Sequence, residues 1–203
     1  MKIGSRRLEY AALRVSQGGF LMSEKGNGEK MELLKIETPR LLLRRFTVAD
    51  AEDVFAILSD EQTTLDCGGY HAFNEMDEEY GRLMQKFASQ TRYSIVCKEM
   101  GRVIGMVSMM DAERAVPGWE LGIEIAPDTR RRGYAKEALS AVVQTYFEKT
   151  DTVLFTGGHY AYNKLSGKLL ESVGFIYEGT EHKAMRHAVR GATDLVCYYI
   201  EKR

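Results

Sequence analysis

The sequence predicts a single mixed α/β domain with a central, mostly antiparallel twisted sheet and about four helices. Three observations carry this. Tyr93 to Lys98 and Val103 to Met110 are apolar runs joined across Glu99-Met100-Gly101-Arg102, the pattern of an antiparallel hairpin. Leu121, Ile123 and Ile125 alternate with Glu120, Gly122 and Glu124, a period of two that marks a strand with one polar face. After a short loop, apolar residues recur at Ala135, Ala138, Leu139, Val142, Val143, Tyr146 and Phe147, the spacing of an amphipathic helix.

Taken in order, residues 1–30 are polar and glycine-spotted and predict a disordered N-terminal extension, with translation starting at Met31 and the domain spanning 31–203. Leu41 to Phe46 reads as the first strand. Thr47 with Asp50 opens a helix carrying Ala51, Val54, Phe55 and Leu58. Gln62 to Phe73 reads as a loop, which places Cys67 in it. Asn74 with Asp77 opens a second helix with a stripe of Met76, Tyr80, Leu83, Met84 and Phe87. Beyond the third helix, Val153 to Thr156 is a short strand parallel to the Glu120–Ile125 strand. A fourth helix runs from Asn163 to Val173, burying Leu165, Leu169, Leu170 and Val173, and stops at Gly174. Phe175 to His182 and Leu195 to Ile200 close the sheet as an antiparallel pair.

Composition narrows the function. Of 203 residues, 44% are hydrophobic and 28% charged, with net charge −1, which gives no footprint for nucleic acid or an anionic membrane. No apolar run reaches the roughly 18 residues of a membrane span. Three cysteines without short spacing predict neither a disulfide framework nor a metal site, and fit a reducing cytoplasm. The four histidines lack metal-ligand spacing and read as surface or hydrogen-bonded structural residues. A monomer and a homodimer paired through sheet edges are both compatible with this chain.

The most informative stretch is Arg130-Arg131-Arg132-Gly133-Tyr134-Ala135, between a strand and a helix N-terminus. Unpaired amides and the positive end of the helix dipole favour an anion there, and a glycine lets it approach the backbone. Three cations at a helix N-terminus are unfavourable by roughly 0.3–1 kcal/mol each unless an anion reverses the sign. The run reads either as a phosphate cradle or as a solvated charged loop.

Four pieces in this order identify a resemblance: Thr38-Pro39-Arg40-Leu41-Leu42-Leu43-Arg44, Glu120-Leu121-Gly122-Ile123, Arg130-x-x-Gly133-x-Ala135, and Asn163-x-x-Ser166 followed by Gly174-Phe175. Over about residues 33–202 the chain resembles the Gcn5-related N-acetyltransferases (GNAT), in particular the RimJ/RimL-type branch, whose named members acetylate N-termini of ribosomal proteins. The resemblance implies acetyl-CoA as co-substrate and no metal. It implies that residues 131–135 wrap the pyrophosphate through backbone amides, with Arg130 adding charge. It also implies that the fourth and fifth strands splay, with pantetheine pairing along Ile123 to Ile125. Gly122 then leaves room beside the ligand, or simply marks a sheet bend. Glu120 matches the general base of several relatives, its rival reading being a solvated strand face. Asn163 matches a pantetheine-binding asparagine and is equally a good N-cap. Relatives carry a tyrosine acid seven residues after that asparagine; here the position is Leu170, leaving Ser166 or water to protonate the thiolate. The implied reaction is direct acetyl transfer to a primary amine, weakly favouring a peptide or protein N-terminal α-amine. A polyamine, aminoglycoside or amino acid acceptor and a non-catalytic acyl-CoA-binding module are the alternatives. A Rossmann dinucleotide site is disfavoured because the full G-x-G-x-x-G is absent.

Overall fold

The computed structural model describes residues 33–203; the expectations for residues 1–30 and for Met31 lie outside the described residues. Eight strands form one sheet in the order β1-β2-β3-β4-β5-β6-β8-β7. They are β1 (Ile36–Glu37), β2 (Leu41–Arg45), β3 (Arg92–Cys97), β4 (Arg102–Asp111), β5 (Gly118–Ile125), β6 (Leu154–Tyr160), β7 (Ile176–His187) and β8 (Gly191–Glu201). All neighbours are antiparallel except β5 and β6, which run parallel. The described α-helices are α1 (Ala51–Leu58), α2 (Glu61–Cys67), α3 (Glu78–Ser89), α4 (Tyr134–Lys149) and α5 (Lys164–Val173). The mixed α/β single-domain architecture is the one the sequence predicts.

Several details differ. The two-residue β1 precedes the first expected strand, so the strands expected as fourth and fifth are β5 and β6. The described residues hold five α-helices, because α2 takes up the first part of the expected loop 62–73. Asp60 caps α2, its carboxylate accepting the Thr63 amide at 2.9 Å. The helix of Tyr80 and Phe87 starts at Glu78, since Asp77 rather than Asn74 caps it, and Met76 stays exposed. On α5, Leu165 points to solvent, while Gly167 and Leu170 turn inward. The closing pair is longer than expected: β7 reaches His187 and β8 resumes at Gly191.

Two apolar clusters hold the sheet between helices. Leu121, Ile123 and Ile125 of β5 pack with Tyr134, Ala138, Leu139, Val142 and Tyr146 of α4 on one face. On the other, Val54, Ile57 and Leu58 of α1 and Tyr80, Met84 and Phe87 of α3 cover Val103 and Met106 of β4. Side chains alternate along a strand, so Glu120, Gly122 and Glu124 stand on the α1/α3 face. At the entrance to α1 the buried Asp50 carboxylate accepts Arg44 Nη1 and Nη2 at 2.9 and 2.6 Å, Ser94 Oγ at 2.7 Å and the Thr47 amide at 3.0 Å.

Candidate active site

The strand pair β5 and β6 forms the centre of the site. Four residue pairs join them, Gly118 with Leu154 through Leu121 with Gly157. β5 then continues to Ile125 and β6 to Tyr160 without pairing to each other, so the strands part beyond Leu121. A backbone edge of Gly122 to Ile125 is left facing the gap, and Ile123 and Ile125 lie on it. Cys67 Sγ meets the carbonyl of Ile123 at 3.6 Å, which sets the end of α2 against β5.

At the exit of β5 the chain passes a short 3-10 turn, Pro127–Thr129, and enters the arginine loop. Gly133 is the N-cap residue of α4 with φ +81°, and Arg131 has φ +60°, so two left-handed residues in three bend the backbone sharply. The Glu137 amide bonds Gly133 O at 3.0 Å; ahead of it, the amides of residues 131–136 find no acceptor among the described residues. A Cβ built on Gly133 would meet only Arg40 Nη2, at 3.4 Å, so the concave side of the turn is open. Amides without internal partners, a bare glycine and a helix N-terminus fit a polyphosphate.

The arginines divide. Arg131 and Arg132 are exposed and make no ion pair among the described residues. Arg130 is engaged elsewhere: its Nη2 bonds Asp60 Oδ1 at 2.7 Å and Thr63 Oγ1, tying the loop to the start of α2. Tyr134 is buried beneath Arg40, whose guanidinium lies 4.5 Å from its ring centroid, and Ala135 follows in the first turn. Arg40 also bonds Arg132 O at 2.9 Å and pairs with Glu137 at 2.5 Å. Burial alone would raise the Glu137 carboxyl, but bonds from Thr38 and Arg40 outweigh it and hold it below the usual range. Arg40 thus braces the turn, a role its place in a sequence motif does not disclose.

Beyond the gap, Asn163 caps α5 through Oδ1 on the Ser166 amide at 3.2 Å and donates from Nδ2 to Asp66 O at 3.3 Å. It therefore links α5 to α2. Leu170 is buried, and its Cδ2 would lie 3.3 Å from a Cβ on Gly157, so it packs at the point where the strands part. Ser166 lies one turn earlier on the same face of α5. Glu120 is half-buried in a row that runs Met110, Glu120, Thr156, Tyr199 across β4, β5, β6 and β8. A cavity of about 210 Å³ lined by Arg114, Leu154, Thr156, Glu178, Tyr199 and Glu201 takes in Thr156 and Tyr199 of this row but not Glu120.

The far wall is aromatic. Tyr160 and Tyr162 stack at 5.7 Å, and both meet His187 edge-on. His187 Nδ1 accepts the amides of Val189 and Arg190, so Nε2 carries the proton and donates to Tyr162 Oη at 2.8 Å, and Tyr162 donates to Leu65 O at 3.0 Å. Burial, reinforced by Arg190, pushes His187 below the ordinary histidine value. A neutral native histidine contributes its stability fully above about pH 6.5 and loses it as the pH falls through its lower native pKa. Denaturation midpoints should therefore drop more between pH 7.5 and 5 for the wild type than for His187→Asn; parallel profiles would contradict this.

Among the described residues no group of three or more His, Cys, Asp or Glu is placed to hold a metal, and no described helix is long and apolar enough to cross a membrane.

A parallel strand pair thus opens midway and leads into a glycine turn at a helix N-terminus. Residues 40–176 match the family described as acetyltransferase (GNAT) domain. The chain is 30% identical over 163 residues to the uncharacterized N-acetyltransferase YoaA of Bacillus subtilis, covering 74% of this chain and 87% of that protein. A GNAT-family acetyltransferase structure from Bacillus anthracis superposes with a TM-score of 0.75 at 22% identity, covering 83% of this chain and 99% of that one. Spermidine N-acetyltransferase from Vibrio cholerae, in complex with CoA and spermine, superposes at 0.67 with 17% identity, covering 81% and 97%. The chain belongs to the GNAT acetyltransferase family. It is an enzyme of the acetyl-CoA-dependent N-acyltransferase class.

Proposed function

We propose that this enzyme, of the RimJ/RimL type and cytoplasmic, transfers the acetyl group of acetyl-CoA directly to a primary amine, with a peptide or protein N-terminal α-amine as the favoured acceptor. The observation that carries the reading is the parting of β5 from β6 beyond Leu121 and Gly157, with Glu120 just before it and the Gly133 turn at the exit of β5. The amides of residues 131–135 receive the pyrophosphate, with charge from Arg131 and Arg132. The edge at Ile123 and Ile125 pairs with pantetheine, and Asn163 borders the same gap.

The amine attacks the thioester carbonyl carbon. The C–N bond forms as the C–S bond breaks, and amides of β5 hold the oxyanion. Glu120 takes the proton of the amine, directly or through water; Ser166 or water returns one to the thiolate. Leu170 offers no acid at the parting point, and a CoA thiol leaves readily without one. A single carboxylate base suits an α-amine with a pKa near 8, about 1 kcal/mol from its neutral form at pH 7, better than a lysine, for which the figure is about 5 kcal/mol.

Glu120→Gln is expected to lower kcat by about 100-fold or more with acetyl-CoA affinity unchanged. Steady-state thiol release with a free N-terminal peptide, beside calorimetric binding of acetyl-CoA, checks this. Unaltered kcat at saturating substrates would remove Glu120 as base.

A further inference from the structure

Arg92 opens β3 on the sheet face that carries Glu120, Gly122 and Glu124. The register sets it opposite Ser108, and Ser108 opposite Gly122, so one row leads across three strands to the bare glycine beside the parting point. Only 9% of its side chain is exposed. The guanidinium lies 3.8 Å from the centroid of the Phe87 ring. Its polar contacts are long: Nη1 to Glu124 Oε2 at 3.4 Å and Nη2 to Gln90 Oε1 at 3.4 Å. Nε is sealed from solvent and has no partner.

A guanidinium offers five N–H donors, and leaving buried donors unmatched is unfavourable. A pair that served only the fold would close as Arg44 and Asp50 do in this molecule, with two contacts of 2.9 and 2.6 Å. Arg92 and Glu124 do not close. Burial raises the Glu124 carboxyl while the attraction of Arg92 lowers it, and the one contact between the two groups stays at 3.4 Å, with Arg92 Nε left unmatched. Cys67, at the end of α2, meets the carbonyl of Ile123 next to Glu124 at 3.6 Å, and Ser108 Oγ lies 2.6 Å from where a Gly122 Cβ would be.

A dianion such as phosphate is a poor match, because Glu124 lies beside the guanidinium. A polycation is a poor match, because Arg92 lies beside the carboxylate. A molecule with an amine at one end and a carbonyl or carboxylate oxygen next to it satisfies both. We propose that Arg92 is the specificity-determining residue of the acceptor site. It receives the carbonyl or carboxylate oxygen adjacent to the reacting α-amine and thereby sets that amine over Gly122. This rests on the acetyl-transfer reading above and narrows its acceptor.

The test uses the full chain at saturating acetyl-CoA, with thiol release measured for an alanyl tetrapeptide, alanine, propargylamine and spermidine. Propargylamine is a comparably weak base without the carbonyl. The expected result is kcat/KM at least about tenfold higher for the tetrapeptide or alanine than for propargylamine or spermidine, the scale of one charge-assisted hydrogen bond. Arg92→Lys and Arg92→Met should raise KM for the better acceptor about tenfold or more, with kcat within about threefold and stabilisation by acetyl-CoA retained. The wild-type comparison stands even if Arg92→Met fails to fold. Equal kcat/KM for tetrapeptide and propargylamine, spermidine as best acceptor, or an unchanged KM in Arg92→Lys would overturn the assignment while leaving acetyl transfer intact. Acetyl-CoA binding without thiol release to any of the four would overturn both.

Discussion

Gly133→Val is expected to abolish acetyl-CoA binding. The residue sits at φ +81°, where a β-branched side chain is strained by roughly 1–3 kcal/mol, and the turn must rebuild or stay strained. Either outcome displaces the amides of residues 131–135, which have no acceptor inside the described protein. At a hundredfold excess over the dissociation constant, acetyl-CoA should stabilise the wild type by about 2.7 kcal/mol. That thermal shift should vanish in Gly133→Val, with a smaller loss in Gly133→Ala. Normal affinity in the valine variant would contradict the phosphate-loop assignment.

The largest effect on stability is expected at Asp50. Asp50→Ala removes the partner of Arg44, Ser94 Oγ and the Thr47 amide together, leaving the first partly and the second fully buried without it. Breaking such a network costs about 3 kcal/mol, at the lower end for buried pairs because Arg44 keeps some access to water. Urea denaturation should show the midpoint falling with an unchanged slope; a loss under about 1 kcal/mol would mean that Asp50 contributes no more than a surface pair. Burial alone would raise the Asp50 carboxyl, but the bonds from Arg44, Ser94 and Thr47 outweigh it and hold it below the usual range. Its contribution is therefore present above about pH 4 and is lost as the pH falls through the lower native value.

The sequence discloses those elements in which period and cap agree. The α4 stripe at Ala138, Leu139, Val142, Val143 and Tyr146 is buried as its spacing predicts, and β5 alternates as read. What stayed hidden lacks such a signal. α2 has seven residues with two adjacent threonines and no apolar stripe; only Asp60 three residues before Thr63 hints at it, and tertiary contacts to Arg130, Tyr162 and Asn163 hold it. Leu165 matched the helical spacing, yet the α5 face that meets the sheet is set by Gly167 and Leu170. Of the residues named for the site, Glu120, Gly133 and Asn163 could be located from motifs. The bracing role of Arg40, although the residue stands in one of those motifs, and the place of Arg92 could not. Each acts through a partner about 30 to 100 positions away, Glu137 and Arg132 for one, Glu124 for the other, and no local pattern records a contact of that range.

The opening between β5 and β6 also has a mechanical meaning. The sheet is two leaves joined along a seam of four residue pairs, β1 to β5 on one side and β6 to β8 on the other. α2 is fastened to the first leaf through Arg130 and to the second through Asn163, like a clasp across the unstitched part. On the reading proposed above, a co-substrate pairing along that edge would close part of the seam with its own hydrogen bonds. The loaded molecule is then expected to be stiffer across the seam than the empty one.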